Sequence, residues 1–192
     1  MITTLHNDPF PHVVYEDFFN NDELEILKPL IDETSKKLGN QYINKKHGIY
    51  NELLQDKAYD IVMPVFEQLK EITPYPSTQY STAPEDTFFR IKIWALEPGF
   101  THTASPDGTG IHCDDSWKQM TTVVYLSNKS AGTHLYRSNK QEDYAKTIDW
   151  EFNKGHSFIS SKDSWHNFEH PKEFNESRVT LMFLLANKRY YG

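Results

Sequence analysis

The segment Val179 to Ala186 (VTLMFLLA) is apolar at nearly every position. Its unbroken apolar part, Leu181 to Ala186, is six residues, against the roughly 20 that a membrane-spanning helix needs. In an extended chain successive side chains leave on opposite faces, so a run that is apolar in both phases must be covered on both sides. The chain therefore has to supply a layer of structure on each face of this strand.

One layer is helical. Between Asn21 and Gly39 the residues Leu24, Ile26, Leu27, Leu30, Ile31 and Leu38 keep mostly helical spacing. Asn21 or Asp22 is placed to cap the start, and Gly39-Asn40 marks the stop. Pro29 predicts a kink or a late start. A second helix is expected from about Asp56 to Ile72, where Ile61, Val62, Val65, Phe66 and Leu69 align and Pro64 interrupts. From about residue 75 the texture turns to strands. Phe88 to Leu96 (FFRIKIWAL) alternates, with Phe89, Ile91, Ile93 and Ala95 on one face and Arg90, Lys92 and Trp94 on the other. Thr121 to Ser127, Thr133 to Arg137 and Trp150 to Ser160 are further β-rich runs. Strands joined by loops rather than helical crossovers make an antiparallel sandwich or jelly roll, and aromatic residues at 14% of the chain suit its pleated core. The expectation is one mainly β domain over residues 1–192, with a helical part at about 1–75 packed on one sheet of a β core at about 86–188. Three polar loops, Thr73 to Thr87, Pro98 to Ile111 and Ser138 to Asp149, are long enough to carry specificity.

Composition removes several classes. Eight glycines and ten prolines without a period exclude collagen-like repeats, and one cysteine, Cys113, excludes an internal disulfide or a paired-thiolate site. A net charge of −7 repels phosphate backbones, so no nucleic-acid partner is expected. Lys45, Lys46 and His47 are the nearest thing to a basic patch, and read best as a solvated loop. The start, MITTLHNDPFPHVVYEDFF, has neither a basic n-region nor an apolar h-region, so cytoplasmic residence is expected.

The chemistry-bearing residues begin at His112-Cys113-Asp114. Residues two apart in an extended chain project to one side, so His112 and Asp114 can share a metal ion. His166, 52 residues after Asp114, is the third candidate. Two histidines and a carboxylate form the facial triad of non-haem Fe(II) oxygenases. Arg178 opens the apolar strand, where an arginine pointing inward needs a buried anion. Thr180 shares its face, and a guanidinium holds a carboxylate through two parallel hydrogen bonds. The alternative for Arg178 is a strand-end surface pair with Glu173 or Glu176.

These residues resemble the 2-oxoglutarate and Fe(II)-dependent dioxygenases, most closely the prolyl 4-hydroxylase-like branch. Val123 to Ser127 (VVYLS) is similar to that branch's Tyr-Leu-Asn strand, Ala131-Gly132-Thr133 to its Gly-Gly-Thr turn, and FPHVVYEDFFNNDELE to its N-terminal opening. The resemblance runs from about Pro9 to Asn187. It implies a double-stranded β-helix, a form of jelly roll. It also implies Fe(II) on His112, Asp114 and His166, and 2-oxoglutarate chelating the iron while Arg178 holds its far carboxylate. O2 is then the oxidant, succinate a product, and the outcome hydroxylation of a C–H bond on a small-molecule or peptidyl substrate, with an amino-acid or prolyl-like side chain the nearest class. Asp114 favours hydroxylation over halogenation, since halogenating members carry a small residue there. The prolyl 4-hydroxylases proper have lysine where Arg178 stands, so the role carries over and the substrate does not. Their co-substrate tyrosine before the metal loop has no match in Leu96-Glu97-Pro98-Gly99. With Tyr125 taken as outward-facing, Thr122 faces inward and is expected to touch the co-substrate. The formal charges of Fe(II), Asp114, 2-oxoglutarate and Arg178 cancel, as a closed cavity requires.

Asp115 should face away from Asp114. His156 reads as a strand histidine with a hydrogen-bond partner, and His170 as a bystander. Cys113 should point away from the metal, and Trp117 and Trp165 serve either the pocket wall or the core. Arg137, Tyr75, Tyr80 and Tyr144 are unranked candidates for substrate contact. Two rival readings are a cupin-like divalent-metal hydrolase or isomerase, which has no use for an anion clamp at Arg178, and a non-enzymatic β-sandwich binding module, whose ligands need not converge.

Overall fold

In the computed structural model, which describes residues 1–43, 48–73, 86–101, 110–115 and 117–188, the apolar strand is β12 (Arg178–Asn187), buried along its whole length. It lies inside a seven-stranded sheet of order β1-β2-β9-β6-β12-β4-β3. The other members are β1 (Ile2–His6), β2 (His12–Glu16), β3 (Gly39–Tyr42), β4 (Thr87–Leu96), β6 (Lys118–Tyr125) and β9 (Gly155–Ile159). Every pairing is antiparallel. A second sheet, β10-β7-β8, joins His166–Asn167, Thr133–Tyr136 and Tyr144–Ile148, and a two-stranded piece joins β5 (Phe100–Thr101) to β11 (Glu169–His170).

The two faces of β12 meet two different cores, as the double apolar phase demands. Val179, Leu181, Phe183 and Leu185 enter a cluster with Ile91, Ile93, Leu27, Leu30, Phe66 and Leu69, the helical side. Met182 and Leu184 enter a second cluster with Val123, Tyr125, Phe158, Leu135 and Ile148, between the two sheets. β4 alternates as expected, with Phe89, Ile91, Ile93 and Ala95 buried toward the helices. Burying a side chain of this kind contributes about 1.5–3 kcal/mol. The helices α1 (Asn21–Lys37) and α3 (Met63–Ile72) therefore close one face of the large sheet, and the small sheet closes part of the other.

Several local expectations shift. The cap of α1 is Asn20, not Asn21 or Asp22: its Oδ1 accepts from the Glu23 amide at 3.0 Å while Glu23 Oε2 accepts from the Asn20 amide at 2.8 Å. This capping box fixes the start one residue earlier, and the helix runs through Pro29. The second helix begins earlier too, as α2 (Ile49–Lys57), followed by a π-helical turn at Ala58–Val62 and then α3. Pro64 has no amide hydrogen to give, and the wider turn stands immediately ahead of it, where the Met63 amide bonds back to Ala58. Residues before Asn20, read with the helical part, contribute β1 and β2. The Ser138 to Asp149 loop holds a short 3-10 turn (Gln141–Asp143) and β8, and Trp150 to Lys154 precede β9 rather than belonging to it. At the turn before β7, Gly132 has φ +84°, and a Cβ there would lie 2.4 Å from the Ile148 carbonyl oxygen. Only glycine fits. Lys45, Lys46, His47, Tyr75, Tyr80 and most of the first two specificity loops lie outside the described residues. No helix among the described residues is long and apolar enough to cross a membrane.

Candidate active site

The backbone brings the two histidines together before their rings are considered. His112 and His166 form an isolated antiparallel bridge, each amide donating to the other's carbonyl at 3.0 and 2.9 Å. Their ring centroids are 4.5 Å apart. His166 in turn pairs with Leu135 of β7, so the second sheet holds the distal histidine in register. Each ring is oriented by a carbonyl two residues upstream: His112 Nδ1 donates to Gly110 O at 2.7 Å and His166 Nδ1 to Ser164 O at 2.9 Å. A carbonyl only accepts, so each Nδ1 carries a proton and Nε2 is the ring atom left to serve as a ligand. Burial, opposed by Asp114, lowers the His166 pKa to about 4, which keeps that ring neutral.

Asp114 completes the group. One ligand atom from each of His112, Asp114 and His166 lies within 4.8 Å of the others. Asp114 Oδ2 accepts from the Thr121 hydroxyl at 2.5 Å, and Oδ1 pairs with the Lys118 ammonium. Burial alone would raise its pKa, but Lys118 first, then His166 and Thr121, hold the carboxyl well below the usual carboxylate range. An ionised carboxylate and two imidazoles whose Nδ1 protons are committed to backbone carbonyls form a donor set suited to a divalent cation such as Fe(II). The Lys118 ammonium already supplies cationic charge to one of those donors. Asp115 is exposed and accepts from Trp117 Nε1 at 3.2 Å, turned away from the group as expected.

The three donors open into a cavity of about 180 Å³. Arg178 lies at its other end, 2% exposed, its guanidinium 4.6 Å from the Phe168 ring centroid and 5.0 Å from that of Trp150. Neither Glu173 nor Glu176 pairs with it, and its Nε has no hydrogen-bond partner among the described residues. Burial lowers its pKa to about 10, with Tyr125 partly opposing. Thr180 Oγ1, two residues on, is also buried without a hydrogen-bond partner among the described residues. Opposite Thr180 on β6 is Tyr125, whose hydroxyl donates to Thr133 Oγ1 at 2.8 Å and whose ring stacks on Trp150 at 4.1 Å. His156 is fully buried on the cavity wall, and neither ring nitrogen has a hydrogen-bond partner among the described residues. Buried polar atoms are nearly always satisfied. So many orphans around one cavity mark a place for a polar guest.

Of the residues singled out from sequence, the structure gathers His112, Asp114, His166, Arg178 and Thr180 on one side of the large sheet. Thr122 is not with them. It faces the helical layer, its Oγ1 2.5 Å from Ser157 Oγ, which meets the Tyr15 hydroxyl at 2.7 Å. The reason is the phase of β6: Thr121, Val123 and Tyr125 face the cavity side, so Tyr125 points inward and Thr122 away. His156, expected to be hydrogen-bonded, is not. His170 is bound into the loop by Ser130 and the Glu176 carbonyl. Arg137 forms an exposed pair with Asp8 at 2.8 Å, and Tyr144 is exposed. Burial pushes the Cys113 thiol up to about 12. Lys92, Trp94, Lys118, Thr121, Tyr125 and His156 were not picked out as site residues, although all face the same cavity or its edge. Their signal is phase: Lys92 and Trp94 share the face of β4 opposite its apolar one.

No protein-family model matches this chain, and no curated protein does. Solved structures do. The viral collagen prolyl hydroxylase of Paramecium Bursaria Chlorella virus-1, in its 2OG complex, matches with a TM-score of 0.57 at 12% identity over 92% of this chain and 96% of that one. A Pseudomonas putida prolyl-4-hydroxylase gives 0.58 at 12% identity over 92% of both chains. A 2OG-Fe(II) oxygenase family oxidoreductase from Burkholderia pseudomallei gives 0.54 at 12% identity over 92% and 87%. At these identities the likeness is one of architecture: the chain is built, as these prolyl hydroxylases and 2OG-Fe(II) oxygenases are, on a double-stranded β-helix.

Proposed function

We propose that this chain is a single-domain Fe(II)- and 2-oxoglutarate-dependent dioxygenase that hydroxylates a C–H bond of an amino-acid or peptidyl substrate. The observation that carries the reading is the pairing, within one cavity, of a two-histidine, one-carboxylate donor set with a buried arginine that has no counter-anion among the described residues. His112 and His166 through Nε2, and Asp114 through a carboxylate oxygen, would hold the metal. When bound, Fe(II) with O2 supplies the oxidising power that couples decarboxylation of 2-oxoglutarate to succinate with C–H hydroxylation. The remaining work falls to this chain's own residues. The carbonyls of Gly110 and Ser164 fix the histidine tautomers. Thr121 orients the Asp114 carboxylate. Arg178 receives the far carboxylate of the keto acid by paired N–H donors, with the Thr180 hydroxyl beside it. Phe168, Trp150 and Phe158 keep water from these charges, which strengthens each of them. A cupin-like hydrolase would leave Arg178 without a purpose.

The test is an anaerobic titration of the protein with Fe(II) and 2-oxoglutarate, read by visible absorption. A weak charge-transfer band from the chelate is expected, lost in His166→Ala. Folded wild-type protein that gives no band overturns the assignment.

A further inference from the structure

Two cations of the cavity have no counter-ion among the described residues. Arg178 has its use in the reading above, and the second is Lys92. It sits at the middle of β4 on the cavity face, half-buried, its Nζ 5.1 Å from the centroid of the Trp94 ring. It forms no hydrogen bond or ion pair with the described residues. The only carboxylate that lines the cavity among them is Asp114, and Asp114 is already taken by Lys118 and Thr121. Burial first, and then the nearby Lys118, lower the Lys92 pKa to about 8, with Asp114 partly opposing.

The balance drawn from sequence omitted Lys92 and Lys118. Among the described residues, three cationic side chains and one carboxylate line the cavity. A divalent ion and a dicarboxylate co-substrate cancel each other, so the described lining of the loaded cavity still carries an excess of two positive charges. Uncompensated charge in a partly desolvated site is costly. Nor is Lys92 a duplicate of Arg178. Arg178 stands opposite Leu96 on β4, four residues from Lys92, or about 13 Å of strand. The two cations address different levels of the cavity.

We propose that Lys92 anchors a second carboxylate in this cavity, beyond the one held by Arg178. The uncompensated charge points to the primary substrate, which is then an acid, as its source; the metal-binding carboxylate of 2-oxoglutarate, already counted in that balance, is the other source that the test distinguishes. The proposal rests on the dioxygenase reading. Its test is calorimetric and needs no turnover: Mn(II)-loaded wild type, Lys92→Met and Lys92→Arg are titrated with 2-oxoglutarate. Each, saturated with 2-oxoglutarate, is then titrated with N-acetylproline and N-acetylleucine and with their primary amides. If the substrate is the source, the acids bind wild type at least tenfold tighter than the amides, and Lys92→Met erases that preference while keeping its 2-oxoglutarate affinity. If the co-substrate is the source, Lys92→Met weakens 2-oxoglutarate at least tenfold and Lys92→Arg restores most of it. Lys92→Met that changes neither titration overturns the proposal and leaves the dioxygenase reading standing. Wild type that binds no 2-oxoglutarate sinks that reading, and this inference with it.

Discussion

Replacing Arg178 by methionine should make the ligand-free protein more stable, and deaf to 2-oxoglutarate. A guanidinium whose pKa falls from 12.5 to about 10 keeps its charge in the fold at a cost of about 3 kcal/mol relative to the open chain. The sign follows from a base depressed in the folded state: the cost is present in full below about pH 10 and fades as the pH climbs toward the unfolded value. Contacts with the Phe168 and Trp150 rings return roughly 1–2 kcal/mol of it. Methionine keeps the apolar stem and fills much of the volume, and hydrophobic replacements of buried ions are commonly neutral or stabilising by about 1–4 kcal/mol. A net gain of about 1–2 kcal/mol raises the melting temperature of a chain this size by roughly 3–6 °C. The assay is thermal unfolding at pH 7 with Mn(II), with and without 2-oxoglutarate. Wild type at a ligand concentration of about 100 times Kd gains about 2.7 kcal/mol from binding, and the variant gains none. An Arg178→Met protein that melts several degrees lower without ligand, yet keeps the 2-oxoglutarate response, would show the arginine to be structural and refute the reasoning.

Three further outcomes are expected. Thr121→Val, which removes the hydroxyl that donates to Asp114, should weaken Mn(II) or Fe(II) binding by about 10–100-fold in a chelator competition while the fold persists; unchanged affinity would mean Asp114 needs no such support. His156→Phe removes a buried imidazole whose two nitrogens have no hydrogen-bond partner among the described residues, so the urea midpoint of the ligand-free protein should rise, by about 1–3 kcal/mol of stability; a fall would reveal a partner for that ring. With the Cys113 thiol raised by burial from 9.0 to about 12, its thiolate is roughly a thousandfold scarcer near pH 8 than in the open chain. Iodoacetamide should label native protein far more slowly than protein in urea, and equal rates would contradict the burial.

What was legible in the chain is what its periods spell out. β4 and β12 announce themselves by alternation and by apolarity in both phases, and the His112–Asp114 pair lies within three residues, where local geometry alone sets its direction. Arg178 stood out because a charge at the mouth of an apolar strand needs an explanation. The phase of β6 was not legible: Thr121 to Tyr125 (TTVVY) offers a threonine and a valine to each face, so only pairing with β12, which sets Thr122 opposite Phe183, decides which threonine reaches Asp114. β1 was hidden because it is an edge strand, exposed along nearly all its length, with no apolar face to show. Lys92 was visible but uninterpreted, since a lysine on the polar face of a strand looks solvated until a second sheet closes over it.

The alternation of β12 also sets the rules for changing this protein. Positions 178, 180, 182 and 184 belong to whatever the cavity accepts, and positions 179, 181, 183 and 185 belong to the helical core. A library meant to alter the guest can vary the even sites and leave the odd ones untouched. Deleting a single residue just before the strand would exchange the two sets, driving a guanidinium into the packed helices and a phenylalanine into the chamber. Point variation along this segment is therefore tolerable, whereas length variation is not.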